Sequence, residues 1–250
     1  MNKLRVLFGI AVLGFLVATQ VLTADVYIKQ KRHTGEMNFM GQNKPAEDVE
    51  EEIWMTDKGV RTDSDKTSAI MLFDEKKLYM IDHEKKTYME MPMDFEKLSS
   101  EMMKDQNEED VKKMQGMMQN MMKIEASVEV TDEKQKINDW NCKKYILTMN
   151  MMMGTITQEI WATEEIKIDE SLYSKYATSA YSAMPGMQAA LGSLLEEMKK
   201  IKGVHVKTIT SQKVMNQNFE SWTELITFKE TSAPDDIFQL PSGYKKTAMR

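Results

Sequence analysis

Cysteine is nearly missing from this 250-residue chain, in which Cys142 stands alone. An internal disulfide is therefore excluded. We interpret Cys142 as a small buried hydrophobic residue between strands, with an intermolecular disulfide or a reactive thiol as the alternative. The adjacent Lys143 and Lys144 supply cations but no histidine that would activate a nucleophile.

Catalytic signatures are missing as well. The sequence has three histidines, and it shows no Ser-His-Asp order, glycine-rich phosphate loop, HExxH motif or cysteine–histidine metal cluster. Its acidic runs, residues 50–52 and 108–110, are typical of solvated faces. We therefore predict a protein that is not an enzyme and that carries no cofactor and no metal at a site of these types.

An excess of basic charge is also absent. Residues 1–24 contain Lys3, Arg5 and no acid, so residues 25–250 hold 31 basic and 39 acidic side chains, a formal charge of −8. This balance argues against nucleic acid or an anionic membrane surface as the main partner. Protein partners cannot be identified from the sequence.

The first 24 residues have the pattern of a secretory signal peptide. Lys3 and Arg5 precede an uninterrupted apolar run over residues 6–17, and Ala24 is a small residue suited to cleavage. The run is shorter than the roughly 20 apolar residues that span a bilayer, although an uncleaved anchor is the alternative. No cysteine follows the cut to accept a lipid. We predict cleavage near Ala24 and a periplasmic protein without a stable membrane anchor.

Short alternating runs between polar turns predict many antiparallel strands. The predicted strands cover residues 25–31, 50–56, 60–63, 68–73, 77–81, 87–91, 126–131, 144–151, 155–162, 204–210 and 221–229. Helical inserts are predicted near 94–123, where Val111, Met114, Met118 and Met121 form a stripe, and near 169–201. The fold class is α+β, mainly β: a curved antiparallel half-barrel sheet with inserted helices over its concave face, forming one domain over 25–250.

A short sequence recurs in two of these strands. Residues 52–57 read EIWMTD, and residues 159–164 read EIWATE. We expect both strands to place a tryptophan, Trp54 or Trp161, on one face and an aliphatic residue on the other. The tryptophans are interpreted either as core packing or as part of a ligand platform.

The order of these motifs resembles a known group. A Glu-Ile-Trp strand leads to residues 58–61 (KGVR), followed by residues 72–81 (LFDEKKLYMI), 141–145 (NCKKY) and 238–244 (FQLPSGY). Over most of 25–244 the chain is similar to uncharacterised exported bacterial families whose fold resembles the periplasmic lipoprotein carriers LolA and LolB. The resemblance implies an open half-barrel with a helical lid over an apolar cavity, in a family whose best-known members carry acyl chains. Arg61 matches the arginine that follows the early strand.

The chain contains 25 methionines, which admit three interpretations. They could fill an irregular core, line an adaptable apolar site, or bind copper(I) through thioethers. Our first hypothesis is a soluble, non-enzymatic periplasmic carrier of a hydrophobic, lipid-like ligand. The alternatives are a structural or envelope-interaction protein with a filled core and a copper(I)-binding protein. The predicted ligand-binding residues are Trp54, Trp161, Met114, Met118, Met121, Leu194 and Met198.

Overall fold

The computed structural model describes residues 25–39, 42–93, 125–151, 154–169, 172, 194–214 and 217–248. Fourteen strands lie in these ranges: β1 (Val26–Thr34), β2 (Met37–Phe39), β3 (Gln42–Lys44), β4 (Glu47–Met55), β5 (Gly59–Asp63), β6 (Thr67–Leu72), β7 (Lys77–Asp82), β8 (Thr87–Pro92), β9 (Glu125–Ile137), β10 (Trp140–Met151), β11 (Gly154–Thr163), β12 (Val204–Val214), β13 (Gln217–Glu230) and β14 (Lys245–Thr247).

Twelve of these strands form one open, curved sheet, which confirms the predicted fold class. Their order is β14-β8-β7-β6-β5-β4-β1-β13-β12-β11-β10-β9, and β2 and β3 form a separate hairpin. Neighbouring strands are antiparallel except for β14, which pairs with β8 in parallel. The first strand of the chain therefore lies between the two hairpin series and joins them.

The predicted strands are found, but several are longer than predicted, and β2, β3 and β14 were not predicted. The largest difference is in the β9–β10 hairpin, where β9 extends to Ile137 and β10 starts at Trp140 although no strand was predicted over 132–143. The end of β9 reads DEKQKI, which lacks apolar alternation because β9 is an edge strand with exposed side chains. The apolar alternation that predicts a strand arises from buried side chains, and in this stretch only Ile137 is buried.

The helical inserts are only partly covered by the described residues. The insert predicted near 94–123 lies outside them, as does the predicted signal peptide. Of the insert near 169–201, residues 194–198 form a helix. Gly203 follows it at a φ of 88°, and a Cβ there would overlap the carbonyl oxygen of Thr163, so a glycine is required. The helix itself ends at Met198, five residues before this glycine.

The core is divided into three clusters. Cluster 1 contains Val128, Tyr145, Leu147, Ile160, Ala162, Leu194 and Ile201. Cluster 2 contains Ile137, Cys142, Trp161, Ile166, Val206 and Leu225. Cluster 3 contains Val26, Met55, Val60 and Leu172. Ile28 and Phe228 pack against both cluster 2 and cluster 3, so these two clusters are continuous across β1 and β13.

Strand alternation separates the two tryptophans of the repeated sequence from their aliphatic neighbours. In the β1–β4 ladder, Ile28 pairs with Ile53 and both pack against cluster 3. Tyr27 pairs with Trp54, so their rings lie on the opposite face, with centroids 5.0 Å apart. The aliphatic residue of this copy faces the core, as expected.

Candidate functional site

A cavity of about 800 Å³ opens where β9, β10 and β11 meet the segment after the helix. The residues that line it are Lys134, Gln135, Lys136, Asn141, Cys142, Lys143, Tyr145, Ala162, Glu164, Glu165 and Lys202. Tyr145 and Ala162 belong to cluster 1 and Cys142 to cluster 2. The floor of the cavity is therefore apolar and continuous with the core, and its rim is charged.

Two irregular strand pairings border this opening. The β9–β10 register shifts between Lys143 and Tyr145, and the β11–β12 register shifts between Trp161 and Ala162. Such irregularities bend a strand and redirect its side chains. Lys143, Tyr145 and Ala162, which flank the two shifts, all line the cavity.

The β9–β10 hairpin is tied across the sheet at its turn. Asn138 adopts a φ of 52°, a left-handed conformation that asparagine tolerates. Its side-chain amide donates a hydrogen bond to the carbonyl of Leu225 at 2.9 Å. Since Leu225 lies on β13, three strands away in the sheet order, the hairpin curls back over the sheet and bounds one end of the site.

The 194–198 helix covers the sheet beside the cavity. Leu194 is buried in cluster 1, and Met198 packs against that cluster. Glu197 accepts a hydrogen bond from the backbone N–H of Val128 on β9 at 2.7 Å. The ion pair with Lys200, followed by this backbone bond, lowers the pKa of Glu197. The helix is thus fixed to the edge strand by a charged contact and to the core by Leu194.

The rim of the cavity carries four lysines, at positions 134, 136, 143 and 202, and two glutamates. Among the described residues, none of these lysines forms an ion pair, although the Lys143 amine lies 6.0 Å from the Tyr145 ring centre. Glu165 accepts a hydrogen bond from the Asn141 side chain at 2.7 Å. The rim has two more cations than anions, whereas the whole chain carries a net charge of −6.

Two titratable side chains near the site are shifted toward their neutral forms. Burial is the main cause that raises the pKa of the Cys142 thiol, and nearby Glu165 raises it further. Burial also lowers the pKa of His205, the ladder partner of Ala162, to about 4. At neutral pH both groups are uncharged, so neither acts as an ion at the cavity.

A polar network lies away from the cavity, under the C-terminal segment. Arg61 pairs with Asp63 at 2.7 Å and donates to the carbonyl of Ile237 at 2.8 Å. The hydroxyl of Ser68, which is 2% exposed, donates to Asp63. This network ties the C-terminal segment to the outer face of β5 and β6, and it gives Arg61 a structural contact.

The same network contains a serine beside a histidine, His83. Ser68 donates its proton to Asp63 and lies 2.7 Å from Nε2 of His83. Nδ1 of His83 lies 3.0 Å from the Tyr244 hydroxyl. These contacts connect β6 to the end of β7 and to the C-terminal segment.

The structure brings together some of the predicted ligand-binding residues. Leu194 and Met198 lie together on cluster 1, and Trp161 lies in neighbouring cluster 2. Trp54 stands on the opposite face, against Tyr27. The remaining three, Met114, Met118 and Met121, lie outside the described residues.

Sequence reasoning missed the lysines of the rim. A signal was present, since Lys134 and Lys136 are two positions apart and would share a face if that stretch were a strand. Only the hairpin register, however, places Lys143 opposite Lys134.

The described structure is a curved, mainly antiparallel sheet, partly covered by a helix and open at one cationic cavity. The chain matches the family model "Domain of unknown function (DUF4412)" over residues 33–244, and it belongs to that family. This match and the observed sheet confirm the resemblance at the level of an uncharacterised family with an open curved sheet. No curated protein matches the chain significantly.

Several solved structures are similar at low identity. PNGF-II matches at 15% identity and a TM-score of 0.35 over 90% of this chain, which spans 31% of that protein. A putative outer membrane lipoprotein-sorting protein domain from Vibrio parahaemolyticus matches at 8% identity and a TM-score of 0.32, covering 86% of this chain and 89% of that one. A DUF1329 family protein from Desulfovibrio piger matches at 9% identity and a TM-score of 0.33, covering 87% of this chain and 90% of that one. At these scores the matches say nothing about ligand or activity.

Two kinds of feature are absent from the described residues. No helix in the described ranges is long and apolar enough to cross a membrane. In the same ranges, no group of three or more His, Cys, Asp or Glu side chains is arranged to hold a metal ion.

Proposed function

We propose that this chain is a soluble, non-enzymatic carrier in the periplasm that binds a hydrophobic, lipid-like ligand. The observation that carries the proposal is the cavity of about 800 Å³, whose floor of Tyr145 and Ala162 continues into cluster 1. Small-molecule sites typically measure about 300–1,000 Å³. Here the apolar part is the floor, and eight of the eleven lining residues are polar or charged. The periplasmic location rests on the signal-peptide pattern of residues 1–24.

An acyl chain would leave water by entering between the sheet and the 194–198 helix. Leu194 and Met198 do not line the cavity, but they share cluster 1 with its floor residues Tyr145 and Ala162. A ligand that extends past the floor would contact them, and methionine adapts to ligands of varied shape. Burial contributes about 0.8 kcal/mol for each CH₂ removed from water. Eight buried methylenes would thus supply roughly 6 kcal/mol before the costs of association are subtracted.

The test combines recovery of the protein from its native compartment with binding of an uncharged probe. Native mass spectrometry of the full chain, as processed by the cell, should show adducts of lipid size. Titration with hexadecanol should then show saturable binding that Met198→Gln weakens roughly five- to thirty-fold, because a polar amide replaces the thioether at the apolar contact.

The matched control is Met80→Gln, since Met80 is 43% exposed and remote from cluster 1. This variant should bind hexadecanol as the parent protein does. A bare mass together with no hexadecanol binding would contradict the carrier proposal and favour an interaction protein with a filled core. A mass increase of copper size only, on addition of copper(I), would favour the methionine-based copper alternative.

A further inference from the structure

Two lysines face each other at the cavity without an anion between them. Lys134 on β9 and Lys143 on β10 are direct partners in the antiparallel ladder. Like charges in this position destabilise a strand pair. The two lysines are next to the β9–β10 register shift and both line the cavity, so the repulsion is concentrated at its rim.

Two more lysines converge on the same opening from different elements. Lys136 lies two residues beyond Lys134 on β9 and lines the cavity with it. Lys202 arrives from the other side, directly after Ile201 of cluster 1. Four cations from two strands and a connecting segment thus surround one cavity.

Some other lysines of the sheet are neutralised by acids. Lys144, the neighbour of Lys143, pairs with Glu159 at 3.1 Å and with Glu133 at 3.4 Å. Lys207 pairs with Glu224 at 2.8 Å. In the described structure the four rim lysines have no such partner, and neither do Lys229 and Lys245 elsewhere in the sheet. What sets the rim lysines apart is that all four line one cavity.

The acids at the rim do not neutralise these lysines. Glu164 and Glu165 line the cavity, but neither lies within ion-pair distance of a rim lysine in the described structure, and Glu165 accepts hydrogen bonds from Asn141. An incoming anion therefore meets a local excess of two positive charges. The floor beneath it, made by Tyr145 and Ala162, is apolar.

We propose that this cavity binds the anionic headgroup, a phosphate or a carboxylate, of an amphiphile whose acyl chain lies against cluster 1. The anion would relieve the repulsion between Lys134 and Lys143 and bring Lys136 and Lys202 into charge-assisted hydrogen bonds. The position of the acyl chain rests on the proposed carrier function, whereas the anion site rests on the four lysines alone.

The test compares ligands that share a C16 chain and differ in headgroup. Hexadecyl phosphate and palmitate should bind the full chain at least tenfold more tightly than hexadecanol, and the preference should shrink between about 0.05 and 0.5 M salt because the rim is exposed to solvent. Inorganic phosphate is titrated separately, to distinguish a lipid headgroup from a free anion.

The variants remove two charges inside or outside the cavity. Lys134→Gln with Lys202→Gln should weaken hexadecyl phosphate binding roughly tenfold or more and leave hexadecanol binding unchanged. Lys167→Gln with Lys245→Gln is the control, since both side chains are exposed, lie outside the cavity lining and form no ion pair in the described structure. The control should bind like the parent.

Each outcome separates the two proposals. Equal binding of hexadecanol and hexadecyl phosphate, insensitive to Lys134 and Lys202, overturns the anion site and leaves the carrier function standing. Lysine-dependent binding of inorganic phosphate with no binding of any C16 compound overturns the headgroup proposal and the carrier function. The cavity would then bind a free inorganic anion and not the headgroup of an amphiphile. Binding of neither class overturns both.

Discussion

Single residues near the cavity show how burial decides their chemistry. Cys142 is 2% exposed, and desolvation raises the pKa of its thiol, so at neutral pH it is protonated. Its interpretation as a buried hydrophobic residue in a strand is confirmed. The sequence allowed this prediction because no histidine accompanies the cysteine.

His205 makes the stability of the protein depend on pH. Burial lowers its pKa from 6.5 in the unfolded chain to about 4 in the fold. Between these values the unfolded state binds more protons, so stability falls as the pH drops from about 6.5 to about 4, and this loss stays constant below that range. The expected loss from this residue is roughly 1–3 kcal/mol.

Urea denaturation at pH 7 and pH 4.5 measures this effect. His205→Gln cannot be protonated, so its free energy of unfolding should fall less between the two pH values than that of the parent. The same fall in both proteins would show that His205 is not responsible.

At the scale of elements, the β9–β10 hairpin marks the limit of sequence prediction. Its apolar parts, residues 126–131 and 144–151, were predicted because they alternate. Its polar end was not, because an edge strand buries few side chains. The rim of the cavity was missed for the same reason, since pairing of Lys134 with Lys143 follows only from the hairpin register.

The hairpin turn should contribute to stability through Asn138. Asn138→Gly keeps the left-handed conformation and loses the bond to the Leu225 carbonyl, and we expect a loss of about 1 kcal/mol. Asn138→Ala loses the same bond and also lacks the polar side chain that lets asparagine tolerate the left-handed conformation, so the loss should be about 2 kcal/mol. Urea denaturation of both variants checks the order, and equal losses would mean that the backbone conformation contributes nothing.

For the whole molecule, the strand meanders and the sheet were predictable because they depend on local alternation. The strand order was not derivable, since it depends on β1 pairing with β4 on one side and with the distant β13 on the other. This placement makes β1 the only strand of the sheet order that joins the β4–β8 series to the β9–β13 series. Strand pairing between the two halves of the described sheet therefore passes through β1, while the segment after β13 also contacts β5 through Arg61 and pairs with β8 through β14.

We therefore expect the two halves to unfold as one unit. Ile28 and Phe228 pack against clusters 2 and 3 together, so neither half keeps a complete core without the other. Ile70→Ala on β6, where the side chain is fully buried, should cost roughly 3 kcal/mol. Native-state hydrogen exchange should then show the slowest amides of β10 and β11 losing protection by the same free energy as those of β6 and β7. Loss confined to β6 and β7 would show instead that β1 joins two halves that open independently.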